Sequence, residues 1–231
     1  MAHFYPNPWW VLVIAIAILA GCGGAEERKA KYLERGKTYY ESENYDKATV
    51  EFKNVLQIDP KVAEAWYYMA KISEKLEDWR TTFGNYAKVV ELDPSNVDAH
   101  RRLGHYHLVL GSQEGAEEQV DWLLENSPND PDAMTMQAVI LARNGDLDGA
   151  IAKANEALKL HPEHAPVSAV LAQLYREKGD LELVVKTLEK SVEQSPEQSP
   201  DQVARKLNLA RAYADSGKYD AAISVLGALI A

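Results

Sequence analysis

Cysteine occurs once in 231 residues, at Cys22, so no disulfide forms within the chain. A domain of this length can bury a sufficient core without one. Charge is missing from residues 1–22, which hold no Asp, Glu, Lys or Arg, so the formal net charge of −10 belongs to residues 23–231. A basic surplus is also missing, with 35 acidic residues against 25 Lys and Arg; nucleic acid, which selects basic surfaces, is therefore not an expected partner. No apolar run is long. Val11 to Ala20 has no polar side chain, and Trp9 and Trp10 extend it to roughly a dozen residues, where a bilayer-spanning helix needs about 20. No glycine-rich phosphate loop and no serine in a nucleophile elbow occur. His105 and His107 stand at i and i+2, about 200° apart on a helix, where a metal pair needs i and i+4. Interior packing is the expectation for His107, and solvation for His161 and His164. No catalytic residue, metal site or bound cofactor is expected.

The apolar run is followed by small residues, as in a secretory signal, although the residues before it carry no Lys or Arg. A short uncleaved anchor, with Trp9 and Trp10 at the membrane interface, is the alternative. Leu19-Ala20-Gly21-Cys22 resembles the bacterial lipobox. The resemblance implies a signal peptide over 1–21 and covalent diacylglycerol and acyl chains on Cys22; the alternative is a free thiol. Gly23 stands where an aspartate would resemble an inner-membrane retention signal. The resemblance thus implies an outer membrane lipoprotein facing the periplasm. Residues 22–28 are the lipidated cysteine and a short tether, and the six after Cys22 reach at most about 20 Å when extended.

Pro60, Pro94, Pro128, Pro162 and Pro196 are each 34 residues apart, and a period of this length indicates a solenoid. Units numbered 1 to 34 start at 29, 63, 97, 131 and 165; a sixth starts at 203 after a four-residue insertion, Ser199 to Gln202. Position 8 holds Gly36, Ala70, Gly104, Ala138, Ala172 and Ala210. Position 20 holds Ala48, Thr82, Ala116, Ala150, Val184 and Ala222. Larger residues recur at position 24, from Phe52 and Tyr86 to Leu188 and Leu226, with Ala154 the exception. The pattern is similar to the tetratricopeptide repeat (TPR), two antiparallel helices per unit that pack closely at the small positions. Gly111, Gly145, Gly179 and Gly217 share position 15, where the first helix must stop, while repeats 1 and 2 place Asn44 and Asp78 beside that turn. Arg35 and Gln137 at position 7, and His100, Ser168 and Lys206 at position 4, depart from the pattern and are expected to loosen packing. The resemblance implies an all-α right-handed superhelix of about twelve helices over 29–231, with repeats 29–62, 63–96, 97–130, 131–164, 165–198 and an incomplete 203–231.

In TPR proteins the first helix of each unit lines a concave groove. The matching positions place Lys37, Tyr40, Tyr67, Lys71, Lys75, Arg101, His105, Arg143, Gln173, Arg176 and Arg211 along one track. Such a track would attract a protein partner or an extended acidic or polar peptide; ordinary solvation of these positions is the alternative. From Glu114 to Asp148 nine acidic residues face one basic residue, Arg143, either a docking face for a basic protein or a solvated surface. The apolar stretch at 220–231 reads as the front of a longer array, a partner contact or a self-association surface. A lipobox, a tether and repeats together resemble the large TPR lipoproteins of exopolysaccharide export and PEP-CTERM systems, and the pilotin-like lipoproteins of type IV pilus assembly. The expected function is a membrane-anchored scaffold for protein–protein interactions in polysaccharide or pilus machinery. The targeting arm of a longer enzyme and a self-assembling structural protein are the alternatives.

Overall fold

The structure is a computed structural model that describes residues 8–230, with side-chain surroundings over 24–229. The segment read as a signal (1–21) and the acylation site Cys22 lie outside the described side chains. Among the described residues there are twelve helices and no strand, and consecutive helices form hairpins. The pairs are α1 (Pro8–Glu41) with α2 (Tyr45–Ile58), α3 (Ala63–Lys75) with α4 (Trp79–Leu92), and α5 (Val97–Leu110) with α6 (Gln113–Asn126). They continue with α7 (Pro131–Arg143) and α8 (Leu147–Leu160), α9 (Ala165–Lys178) and α10 (Leu181–Glu193), and α11 (Gln202–Asp215) and α12 (Tyr219–Ile230). The odd-numbered helices are the A helices of the repeats and the even-numbered ones the B helices. Residues 23–28, expected as a short tether, are helical and continue α1 into the first repeat.

Each A helix stops for a local reason. Gly111, Gly145, Gly179 and Gly217 have φ between 73° and 84°, a left-handed conformation that glycine enters without a Cβ clash. At the same position repeats 1 and 2 place Glu43 and Glu77, both at φ 57°. Asn44 and Asp78, which the sequence sets beside this turn, are instead the N-caps of the B helices: their side chains accept from the amides of Lys47 and Thr81. Asp146 and Asp180 do the same for Gly149 and Leu183. Such a cap is worth about 1 kcal/mol.

The chain divides into two units, residues up to Ala99 and residues from His100. In the first, Ala48, Phe52, Val55, Ala65 and Ile72 form the core, backed by Tyr32, Tyr39, Tyr40 and Tyr68. Gly36 admits the Phe52 ring so closely that an added Cβ would lie 2.6 Å from it. In the second unit Ala138, Ala150, Ala154, Leu171 and Leu174 form one cluster, and Ala172, Val184, Val185, Leu188, Leu209 and Ala212 another. All six residues at position 8 and all six at position 20 are buried. Of the departures at position 4, His100 packs better than the sequence implies. His100 stacks on Trp122 with ring centroids 3.6 Å apart, and its Nδ1 is 2.7 Å from Gln119 Oε1. Ser168 is buried, with no partner for its hydroxyl. At position 7, Arg35 turns outward to Glu51 at 2.7 Å.

Candidate functional site

The track expected along the A helices is made of side chains in two different conditions. Most of its cations and one tyrosine tie one repeat to the next. In the first unit Lys37 Nζ lies 2.5 Å from Glu64, and this hydrogen bond raises the lysine pKa. The Tyr67 hydroxyl donates to Asp98 at 2.8 Å. In the second unit Arg101 reaches Asp130 at 2.6 Å and Asp132 at 3.0 Å. Asp132 is also 3.3 Å from His164 Nε2. The hydrogen bond from His164 leads the effects that hold its carboxyl below the usual carboxylate range. Arg143 donates to the Leu108 carbonyl at 2.9 Å, and Arg176 lies 3.5 Å from Asp215.

The carboxylates in these ties were missed by reading the cations alone. Glu64, Asp98 and Asp132 all stand at position 2, 34 residues apart. Each meets position 5 or 9 of the preceding repeat. The recurrence of an acid at that position was the available signal. His161, expected to be solvated, instead bonds the Asn129 carbonyl at 2.6 Å through Nε2.

The remaining track residues stay open. Lys75, His105, Gln173 and Arg211 are exposed on α3, α5, α9 and α11. Gln173 accepts from Arg176 at 2.9 Å within its own helix. Lys71 is partly exposed among tyrosine rings, with its Nζ 5.0 Å from the centroid of Tyr40 and 5.4 Å from that of Tyr67. His107 is half-buried against Gly115, and burial lowers its pKa. The acidic stretch divides as well. Asp130 and Asp146 cap α7 and α8, and Asp148 pairs with Lys178 at 2.7 Å. Glu114, Glu118, Asp121 and Glu125 remain as an exposed stripe on α6.

Hairpins at a 34-residue period, with small residues at the crossing and charged rungs along the A helices, define a helical-repeat protein. Models described as tetratricopeptide repeat match residues 84–131, 104–165, 141–199 and 207–231, and a TPR repeat model matches 36–76. The chain belongs to the tetratricopeptide-repeat proteins, and no catalytic family is indicated. Similar solved structures include PilW, a type IV pilus biogenesis factor, at TM-score 0.69 and 19% identity, covering 87% of this chain and 91% of that one. PilF of Pseudomonas aeruginosa gives 0.63 and 17%, covering 87% and 90%. YrrB, described as having an unusual peptide-binding site, gives 0.58 and 21%, covering 76% and 91%. At these identities the likeness is one of fold. Superkiller protein 3 of Schizosaccharomyces pombe is 23% identical over 84% of this chain. Tetratricopeptide repeat protein 12 of Homo sapiens is 31% identical over 34% of it. The chain spans 15% and 12% of the lengths of these two relatives.

Proposed function

We propose that this protein is a lipid-anchored scaffold of the bacterial envelope that holds an extended segment of a partner protein against its A-helix faces. The observation that carries this is the division of the track. Fixed ties such as Arg101–Asp130 hold neighbouring A helices in register, while Lys75, His105, Gln173 and Arg211 project exposed from the same helices. A preordered surface loses little conformational entropy when a partner binds. The fold likeness to PilW, a pilus biogenesis factor, and the lipobox residues Leu19 to Cys22 support a setting in pilus or polysaccharide machinery at the outer membrane, facing the periplasm. Photocrosslinkers placed at Lys75 and Arg211 in the native host test the reading, with Glu118 and Glu125 on α6 as controls. The expected outcome is a discrete adduct from the A-helix sites only, the Arg211 adduct being lost when His105 and Gln173 of the same unit are replaced by glutamate. Adducts from the α6 sites alone would overturn it.

Self-association through the last repeat is a second reading, favoured by a specific contrast. Position 24 is buried in repeats 1 to 5, as at Phe52, Tyr86, Val120, Ala154 and Leu188, but Leu226 is 43% exposed and Ile223 67%. Sedimentation velocity over a concentration series decides it. A rising weight-average mass that Leu226→Glu abolishes supports association, and a constant monomer mass excludes it.

A further inference from the structure

On the A-helix faces Lys37, Arg101 and Arg176 meet carboxylates, but Lys71 does not. Its Nζ sits 5.0, 5.4 and 5.7 Å from the ring centroids of Tyr40, Tyr67 and Tyr68, and among the described residues it makes no ion pair. Lys75, one turn further along α3, is exposed and makes none either. The rings around Lys71 are themselves fixed from behind. Tyr68 stacks on the buried Phe52 at 5.0 Å, with the planes 13° apart. Tyr40 meets Tyr68 edge-on at 5.3 Å. The Tyr67 hydroxyl is held by Asp98, and its ring meets the buried Tyr86 at 6.2 Å. A π face attracts an ammonium through its quadrupole but does not cancel the charge. The result is a positive group held in place, partly shielded from water and lacking an anion.

We infer that Tyr40, Tyr67, Tyr68 and Lys71 form a subsite for the side-chain carboxylate of an Asp or Glu that lies next to an aromatic residue in an extended partner segment. The carboxylate pairs with Lys71 Nζ, and the neighbouring aromatic side chain packs on the tyrosine edges, where offset and edge-on contacts are favoured. Lys75 extends the positive character along the path of the segment. The single ammonium of Lys71 balances the one charge of a carboxylate, whereas a phosphate monoester would bring about −1.5 to −2, so the charge balance favours a carboxylate. This inference rests on the A-helix faces being the partner surface.

The test is selection of a random peptide library on the full chain, displayed by its carboxyl end so that no free C-terminal carboxylate is offered. The best sequence is then made as an amidated, fluorescein-labelled peptide and titrated by anisotropy. Asp or Glu beside Tyr, Phe or Trp should be enriched. Lys71→Met should weaken binding by about tenfold or more, Lys71→Arg should stay within about threefold, and Lys186→Met, at an exposed position on α10 outside the track, should change little. An unchanged circular dichroism spectrum and thermal midpoint establish that Lys71→Met remains folded; if it does not, Tyr40→Ala is titrated in its place with the same expected loss. Selection without acid enrichment, or equal binding by Lys71→Met, overturns the carboxylate subsite and leaves the A-helix faces standing as a binding surface. Selection of no peptide above background overturns both.

Discussion

At the scale of single residues, the left-handed turn after each A helix is the plainest case of one position answered in two ways. Four repeats place glycine there, while Glu43 and Glu77 adopt φ 57° with a side chain attached. That conformation costs an L-residue about 1–2 kcal/mol, offset in part by the greater freedom glycine has when unfolded. Glu43→Gly and Glu77→Gly should therefore each stabilise by about 1 kcal/mol, and Gly145→Ala should destabilise by a similar amount. Urea denaturation midpoints, with the slopes unchanged, check both signs. His107 gives a prediction in pH. Burial lowers its pKa in the folded chain, so the unfolded chain binds the proton more readily. The associated stability is present above the ordinary histidine range near 6.5 and is lost as pH falls through the lower folded pKa. His107→Leu, the residue that Leu141 supplies at the same position of the next repeat, should flatten that fall. A wild-type and variant difference in thermal midpoint that is constant from neutral to mildly acid pH would refute the assignment.

At the scale of elements, what could be read from sequence was whatever repeats within one hairpin. Small residues at positions 8 and 20 are buried in every repeat, because two helices crossing at short range leave no room for larger ones. The B-helix caps also follow the period, although the turn residue beside them was obscured, since Glu43 and Glu77 carry no signature of a left-handed backbone. The charged track was legible as a set of positions but not as a set of roles. Whether Arg101 faces a partner or a neighbouring repeat depends on Asp130 and Asp132, about 30 residues away and brought close only by stacking of A helices. Periodicity in one residue type does not reveal pairing between two. This distinction has a measurable consequence. Asp130 is buried, and removing Arg101 leaves its carboxylate without the guanidinium. Arg101→Met should cost about 2 kcal/mol, whereas Lys75→Met should fall within about 0.5 kcal/mol of wild type. Equal costs in chemical denaturation would show that the ties do not hold the repeats in register.

At the scale of the whole molecule, the proposed anchor and the repeats act together only if the distance between them is short. Helical rise gives residues 23–28 about 9 Å, against the roughly 20 Å of an extended strand. The first repeat is then held near any surface to which Cys22 is attached. Confinement of that kind raises the effective concentration of a partner tethered to the same surface. Acyl chains contribute about 0.8 kcal/mol for each buried methylene, so the two or three that the lipobox resemblance implies would hold the chain far more firmly than one reversible lipid. The intact mass of protein extracted from native membranes should begin at an acylated Cys22 and lose residues 1–21. Cys22→Ala should remove both the processing and the added mass. A wild-type mass that retains Met1 without acylation would overturn the lipid anchor and leave the short apolar segment, Trp9 to Ala20, as the attachment. In that case the A-helix faces would keep their binding chemistry, since Lys71 and its tyrosines owe nothing to Cys22, but the surface on which they act would have to be established separately.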